Sequence, residues 1–517
     1  MILVYDRKDG RVLSTMSTNH NLGDELSAAV SSMFPDLGSH AGYCEVDVRR
    51  VPRVCQVELV EGVVVRVYGS QGDVYRIDPG ELKRCLEEKK KDEGRRLLGR
   101  MPYRADAALA NVVFDVLPSL QQTAPEVLAA IKDNSYFHKE VKPVGWWGSF
   151  TDAGGYANMN REYVQRLHNH WILPYISMYP TISQVDRQTE NVLKALAALR
   201  PRSSDHPYVY AFTPMPHPPH PGRRIFYTMM ETSTLHPDFV RCCNDHCDEI
   251  WVPSKANMEL FSGQGVKKKM RVLPLGIDEG LYLSGTNPVP LDLSKTQGLF
   301  GRSPSSGVNS FRFLSVIQWN FRKGFDALLR AFVDAFTAKD DVALVFATQY
   351  SRETVLGDLI PFLPRTDNLP QVLLCNHIVP IREMPALYAA CQCYAHLSRG
   401  EGFSLTQIEA AACSLPVLSC FHSGMTEYLR DDNSYLVRCP DREKCHPRLA
   451  AISYFYQGQD LWKVGPRQVS EAAQLMRHII DNPGEAAARA AILRKDVEER
   501  YTWKKAAERV ADVLRKT

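Results

Sequence analysis

The chain has 517 residues, with 62 Lys and Arg against 59 Asp and Glu. That length exceeds one hydrophobic core and, at roughly 100–200 residues per domain, implies about three units. The near balance of charge argues against a nucleic-acid polymer as the main partner, so any anion site has to be local.

The chain opens MILVYDRKDG, without a basic stretch leading into a long apolar one, and its 13 cysteines have no regular spacing. Both features point to a reducing, cytoplasmic setting. No apolar run approaches the roughly eighteen residues that cross a bilayer, which leaves a soluble or peripheral protein without a transmembrane segment.

Residues 2 to 78 alternate as strands do. ILVYDR and RVLST flank Asp9-Gly10, and CQVELVEGVVVRVYG turns on Glu61-Gly62, so this part is a small β-rich unit with one helix around Gly23 to Phe34. ELKRCLEEKKKDEGRRLLGRM then mixes both charge signs densely and reads as a solvated helix or linker.

A different pattern begins near Pro143. VGWWGSF is a buried strand, SFTDAGGYA a turn, and NMNREYVQRLHNH a helix, the order of a βα unit in a parallel sheet. Alternation continues through ILPYISM, YVYAFTPM, RRIFYTMM, EIWVPS and KMRVLPLGI, as in a doubly wound sheet. RCCNDHC, with Cys242, Cys243, His246 and Cys247, lacks the paired knuckles of common zinc sites and fits a helix before a strand, so no metal site is assigned.

The Ser, Gly and Pro of LSKTQGLFGRSPSSGVNS, 293 to 310, read as an interdomain linker. Alternation then restarts. FRFLSVIQW is a strand, and GFDALLRAFVDAF puts Phe325, Leu328, Leu329, Phe332 and Phe336 on one helix face. Two doubly wound units joined by a linker imply a cleft between them, where ligands of such sheets bind.

Within RGEGFSLTQIEAAAC, Ser404 and Gln407 have the spacing of a capping box, so a helix is expected from Leu405 to about Cys413. The amides of Gly402, Phe403 and Ser404 then lie at its positive end and favour a phosphate. Glu401 precedes the helix start and Glu409 follows it by more than a turn. The two carboxylates therefore suit hydroxyl groups on different parts of one ligand better than a close acid/base pair. NFRKGFDALL sets Arg322 and Lys323 before another helix, as a second anion element, and Gly154-Gly155 permit close backbone approach at a strand-to-helix turn.

In their order these elements resemble the glycosyl transferases group 1, the retaining GT-B enzymes of glycosyltransferase family 4, over roughly 143 to 515. EGFSLTQIEAAACSLPVLSC with the later GMTEYL is similar to that family's Glu, seven residues, Glu signature. FLSVIQWNFRKGFDALLRAF resembles its donor-phosphate segment, VPSKANMELFSGQGV with VLPLGID its interdomain crossing, and YTWKKAAERVADVL its C-terminal helix. The resemblance implies two Rossmann-like domains facing a cleft, plus the small α+β N-terminal unit. The corresponding segments are an accessory domain 1–100, a helical linker 101–140, an acceptor-side domain 141–292, a linker 293–310, a donor domain 311–500, and a closing helix 501–517.

By the same resemblance Glu401 holds the transferred sugar and Glu409 the ribose. Lys323 neutralises the diphosphate, Gly402, Phe403, Ser404 and Leu405 line it, and Gly154 and Gly155 approach it from the other domain. Where the family often has an Arg, this chain has Gln318, and Arg322 is placed to take over that charge. The family also implies a group from the N-terminal side near the sugar. His217, His220, Glu231 and His236 are the candidates, with His217 the first choice because it follows the strand YVYAFTPM. Base selection is expected near Ala347 to Gln349 and Ile378 to Pro380. The implied reaction is retaining transfer from a nucleotide sugar, such as a UDP- or GDP-sugar, to a sugar, glycan, lipid or protein acceptor, with no cofactor or metal. A contrasting reading is an inactive carbohydrate- or nucleotide-binding GT-B module whose N-terminal domain mediates an interaction.

Overall fold

The computed structural model describes residues 142–516 except 153, 171, 179–184, 186, 199–204, 218–219, 284–287, 294–295, 302–310 and 378, together with strand segments at 2–6, 12–16, 41–45, 54–60 and 63–69. The helix expected around Gly23 to Phe34, the charged segment 81–101 and the linker 101–140 lie outside the described residues.

Two compact units are present: 1–145 with 171–178 and 182–204, and 146–170 with 179–181 and 205–517. In the smaller unit, strands β1 (Ile2–Asp6), β2 (Val12–Met16) and β3 (Ala41–Glu45) form a sheet in the order β2-β1-β3. Strands β4 (Val54–Val60) and β5 (Val63–Gly69) pair antiparallel about Glu61-Gly62. The same unit holds β7 (Ile172–Met178) and the helix Arg187–Ala198.

The larger unit carries the site. Strand β6 (Lys142–Gly148), whose last residues belong to this unit, leads to the helix Gly155–Arg166. Next come β8 (Tyr208–Ala211), β9 (Arg224–Tyr227), β10 (Glu249–Val252) and β11 (Lys269–Val272), lying in the order β11-β10-β9-β8-β6. The pairs β8/β9, β9/β10 and β10/β11 are parallel. Between β9 and β10 the helix Pro237–His246 buries Phe239, Cys242 and Cys243, and the Cys247 thiol donates to the Cys243 carbonyl at 3.1 Å.

The second sheet of this unit has the order β12-β15-β14-β13-β16-β17-β18. Its strands are β12 (Gln297–Phe300), β13 (Phe311–Val316), β14 (Val342–Ala347), β15 (Gln371–Cys375), β16 (Cys393–His396), β17 (Val417–Phe421) and β18 (Tyr435–Arg438). All run parallel except β12, an antiparallel edge strand built from part of the stretch read as a linker. Leu299, 8 % exposed, anchors it. Every residue of β14 is buried, as a central parallel strand covered on both faces requires. Over this sheet the helix Phe325–Ala335 buries Phe325, Leu328, Leu329 and Phe332, and Phe336 at its end is buried as well.

From β13 the chain passes to β14 on one side, while from β16 it passes to β17 on the other, yet β13 and β16 are neighbours. That reversal makes a topological switch point, so the loops leaving the carboxyl ends of β13 and β16 flank a crevice. They are the loops carrying Lys323 and Glu401.

Further along the chain, segment 442–462 forms the hairpin β19 (Arg442–Lys444) and β20 (Asp460–Trp462). It inserts Leu449, Phe455, Tyr456 and Leu461 into the apolar core of Tyr210, Phe226, Phe239 and Phe261 on the side of the first sheet. The closing helix Trp503–Arg515 packs on the helix Gly155–Arg166, with Trp503 edge-on to Tyr163 at 5.5 Å between centroids. No helix among the described residues is long and apolar enough to cross a membrane.

Candidate active site

Glu401 follows β16 by five residues and is 4 % exposed. Its Oε1 accepts from Lys323 Nζ at 2.6 Å and faces Arg322 at 3.4 Å and His396 Nε2 at 3.0 Å. Burial alone would raise this carboxyl, but Lys323, Arg322 and His396 hold it well below the usual carboxylate range. Burial in turn pushes Lys323 and His396 down, against the pull of Glu401. A neutral His396 donates from Nε2 to Glu401, which leaves its buried Nδ1 without a partner. Arg322, also buried, stays charged: burial opposes it, while Tyr456, Glu231 and Glu401 raise it.

The loop is fixed from several directions. Arg399 donates to both oxygens of Asp326, at 2.7 and 2.8 Å, and to Glu443 at 2.6 Å. Arg322 donates to the Gly400 carbonyl at 2.7 Å. The Glu401 amide donates to Ser423 Oγ at 3.1 Å, and Ser423 in turn meets His422 Nδ1 at 3.0 Å while His422 Nε2 meets the Ser398 carbonyl at 3.0 Å. Cys420, His422 and Cys439 are the one group of three potential metal ligands among the described residues, but both His422 nitrogens already have these partners. Backbone packs as tightly as side chains here. A Cβ on Gly400 would overlap the Glu231 carbonyl oxygen, and one on Gly424 that of Gly402.

The helix Leu405–Ala412 begins one residue after Ser404, as the spacing requires, but the expected capping box is absent. Ser404 has φ 70° and ψ 80°, a left-handed conformation, and makes no side-chain cap bond. A capping serine needs extended backbone to aim its oxygen at the first turn; here Oγ is buried without a partner. Gln407 points inward instead, its amide donating to Ser419 Oγ at 3.1 Å. An unfavourable backbone together with an unpaired hydroxyl is characteristic of a ligand-binding turn.

Glu409, about one turn further along this helix, has a phenolic setting. Tyr388 donates to its Oε2 at 2.8 Å, and burial pushes its carboxyl up to about 6. Phe403 is buried against Tyr428 and Tyr501, with Leu405 opening the helix beside it. Gly154 caps the helix Gly155–Arg166 with its amide bonded to Asp152 at 2.7 Å, and Gly155 faces open space. Tyr156 then accepts from the Met229 amide at 3.1 Å, and the Met229 side chain lies against Gly402. Met229 thus bridges the helix that follows the glycine turn and the Glu401 loop.

Gln318 is exposed, its side chain accepting from Asn320 Nδ2 at 3.4 Å, and it brings no charge to the carboxylate; Arg322, 3.4 Å away, does. His217, the first choice for the group beside the sugar, lies among aromatic rings. Its ring stacks on Tyr210 at 3.8 Å and packs edge-on to Trp147 and Phe226, and burial pushes it down to about 4. Ala347 ends β14 as expected, while Ile378 lies outside the described residues. His396 was missed in the sequence, although a histidine closing a strand at the switch point was an available signal.

Residues 310–451 match the family described as Glycosyl transferases group 1. The chain is 24 % identical over 249 residues to the GDP-mannose-dependent monoacylated alpha-(1-6)-phosphatidylinositol monomannoside mannosyltransferase of Corynebacterium glutamicum, covering 47 % of this chain and 55 % of that protein. It is 26 % identical over 167 residues to the D-inositol 3-phosphate glycosyltransferase of Segniliparus rotundus, covering 32 % of this chain and 35 % of that one. The matches thus span about half or less of these relatives. The crystal structure of Anabaena HepE in complex with UDP and glucose superposes with a TM-score of 0.50 at 15 % identity, covering 73 % of this chain and all of that one. The fold is accordingly GT-B, and Lys323, Glu401 and Glu409 lie within the segment that matches the glycosyl transferases group 1.

Proposed function

We propose that this chain is a glycosyltransferase that moves a sugar from a nucleotide-sugar donor to an acceptor hydroxyl with retention of configuration, without a metal, in the cytoplasm. The observation that carries the reading is Glu401: a buried carboxylate kept ionised by Lys323, Arg322 and His396 at a switch-point crevice, eight residues before Glu409. Glu401 accepts hydroxyls of the transferred sugar. Lys323, Arg322 and the amides of Gly402 to Leu405 stabilise the diphosphate as the bond to C1 breaks, with Gly154 and Gly155 closing on it from the other sheet. Glu409 holds the ribose. The donor class is supported by the relative whose name specifies GDP-mannose.

The purified chain, offered a panel of UDP- and GDP-sugars, is expected to release nucleoside diphosphate. Lys323→Ala should slow that release about tenfold or more, since a charge-assisted contact contributes about 1.5–3 kcal/mol. Release from no donor would overturn the proposal in favour of a binding module.

A further inference from the structure

The ends of β17 and β18 carry a side-chain cluster that sugar transfer does not use. The two strands are parallel neighbours, with Cys420 level with Val437. Because side chains alternate between faces, His422, two residues beyond Cys420, and Cys439, two beyond Val437, turn to the same side of the sheet as Cys420. One ligand atom from each of the three lies within 4.8 Å of the others, and all three residues are buried. The His422 ring stacks on Trp462 at 4.7 Å between centroids, and its nitrogens meet Ser423 and the Ser398 carbonyl. That leaves the two sulfurs as a pair, with Cys439 Sγ making a long contact of 3.7 Å to the Val437 carbonyl besides.

The pair is asymmetric. The Cys420 side chain donating to it, with His422 beside it, holds the Cys439 thiol below the usual range against burial, while burial pushes Cys420 well up; Arg399 and Glu471 act on the pair in opposite directions. Cys439 is 6 % exposed and Cys420 fully buried. A small oxidant therefore meets Cys439 first, the thiol with more thiolate character.

We propose that Cys420 and Cys439 are a reversible oxidation site whose oxidant is hydrogen peroxide, and that closing their disulfide loosens the Glu401 loop. The Cys439 sulfur attacks one peroxide oxygen: the S–O bond forms, the O–O bond breaks, and the other oxygen leaves as water with the thiol proton. Cys439 is then a sulfenic acid, oxidised by two electrons. The Cys420 sulfur next attacks it, the S–S bond forms, the S–O bond breaks, and the hydroxyl leaves as a second water with the Cys420 proton. Two thiols and one peroxide thus give one disulfide and two waters, and a dithiol reverses the change. Both cysteines are reduced in this structure, and a disulfide of about 2.0 Å draws the two strand ends together. His422 and Ser423 come within three residues of Cys420, and Ser423 Oγ holds the Glu401 amide. Movement at the end of β17 is passed to that amide.

The purified chain is treated with hydrogen peroxide, alkylated, digested without reductant and mapped by mass spectrometry. A linked Cys420–Cys439 peptide pair is expected, and dithiothreitol should abolish it. Hydrogen exchange of the peptide carrying the Glu401 amide should quicken in the oxidised chain and return on reduction. Cys420→Ala should stop at a Cys439 sulfenic acid that dimedone traps, and Cys439→Ser should show no peroxide effect on exchange. Both cysteines still alkylated after peroxide, or linked peptides drawn instead from Cys242, Cys243 and Cys247, would overturn the site without recourse to any variant. A Cys420–Cys439 disulfide with exchange unchanged would overturn its link to the loop. Only the consequence for activity rests on the glycosyltransferase reading: nucleoside diphosphate release from UDP-glucose and GDP-mannose should fall about fivefold on oxidation, the scale of one net hydrogen bond. A chain that forms the disulfide and quickens exchange, yet releases nucleotide from no donor when reduced, would overturn that reading and support the oxidation site.

Discussion

The loop around Glu401 and the helix around Glu409 carry the same side chain eight positions apart, and they treat it in opposite ways. Around Glu401 there are two cations and a histidine, and the buried carboxyl stays charged. Around Glu409 there are the phenols of Tyr388 and Tyr282 and no cation among its named neighbours, and burial raises the carboxyl to about 6. Burial pushes both carboxyls up, and the neighbours decide whether it prevails. A fixed charge suits the position beside a departing phosphate, where transition-state charge develops, and a titrating one suits hydroxyl binding remote from the chemistry.

The contrast breaks most severely with Glu401→Ala. Lys323 would be left buried without its carboxylate and Arg322 with Glu231 as its remaining acidic neighbour, and removing one partner of such a cluster costs about 3–5 kcal/mol. Denaturant unfolding of the variant should show that loss; an unchanged midpoint would mean the cage is looser than its distances state. Glu409→Ala should act on ligand binding instead, weakening donor affinity about tenfold with little loss of stability, as calorimetry would report.

The titration difference itself is testable. Glu409 has a raised value, so it takes up a proton as pH falls through about 6, whereas Glu401, held down, remains ionised there. Donor affinity should therefore weaken below about pH 6 and level off above it, and Glu409→Gln should remove that step. A step that survives in Glu409→Gln would assign it to another group. The smallest expected effect lies between the two glutamates. Ser404→Gly would relieve a left-handed serine and raise stability by about 1 kcal/mol, net of the extra chain entropy of glycine. The lost hydroxyl should weaken donor binding by about two- to tenfold, the scale of one hydrogen bond.

Much of the fold was legible because its signals are local. The helix Phe325–Ala335 could be read from five apolar residues at helical spacing, and β14 from an unbroken apolar run. The helix start after Ser404 could be read too, although its reason could not: Ser and Gln at capping-box spacing do not disclose that the serine backbone is left-handed. The partners of Glu401 were only half legible. Lys323 was singled out by its place before a helix, but its meeting with Glu401 joins positions 78 apart, and Glu231 reaches Arg322 from a different sheet. Segment 442–462 gave no periodic pattern, since its short turns bury single residues, Leu449, Phe455 and Tyr456, that belong to a core assembled elsewhere in the sequence. For His217, following a strand's carboxyl end indicates nearness to a crevice without saying which way its ring turns.

The glycines of this loop bear on how the chain tolerates change. At Gly400 and Gly424 the space a methyl group would need is filled by a neighbouring carbonyl oxygen. A saturation mutagenesis screen scored by growth or activity would therefore rank these two positions beside Glu401 and Lys323, although neither contributes a charge, a donor or a proton. Separating the classes takes a second measurement on each variant, such as soluble yield. Alanine at the glycines should displace backbone and reduce yield, whereas Lys323→Gln should leave a larger share of folded but impaired protein. Intolerance to substitution here reports on crowding as much as on chemistry.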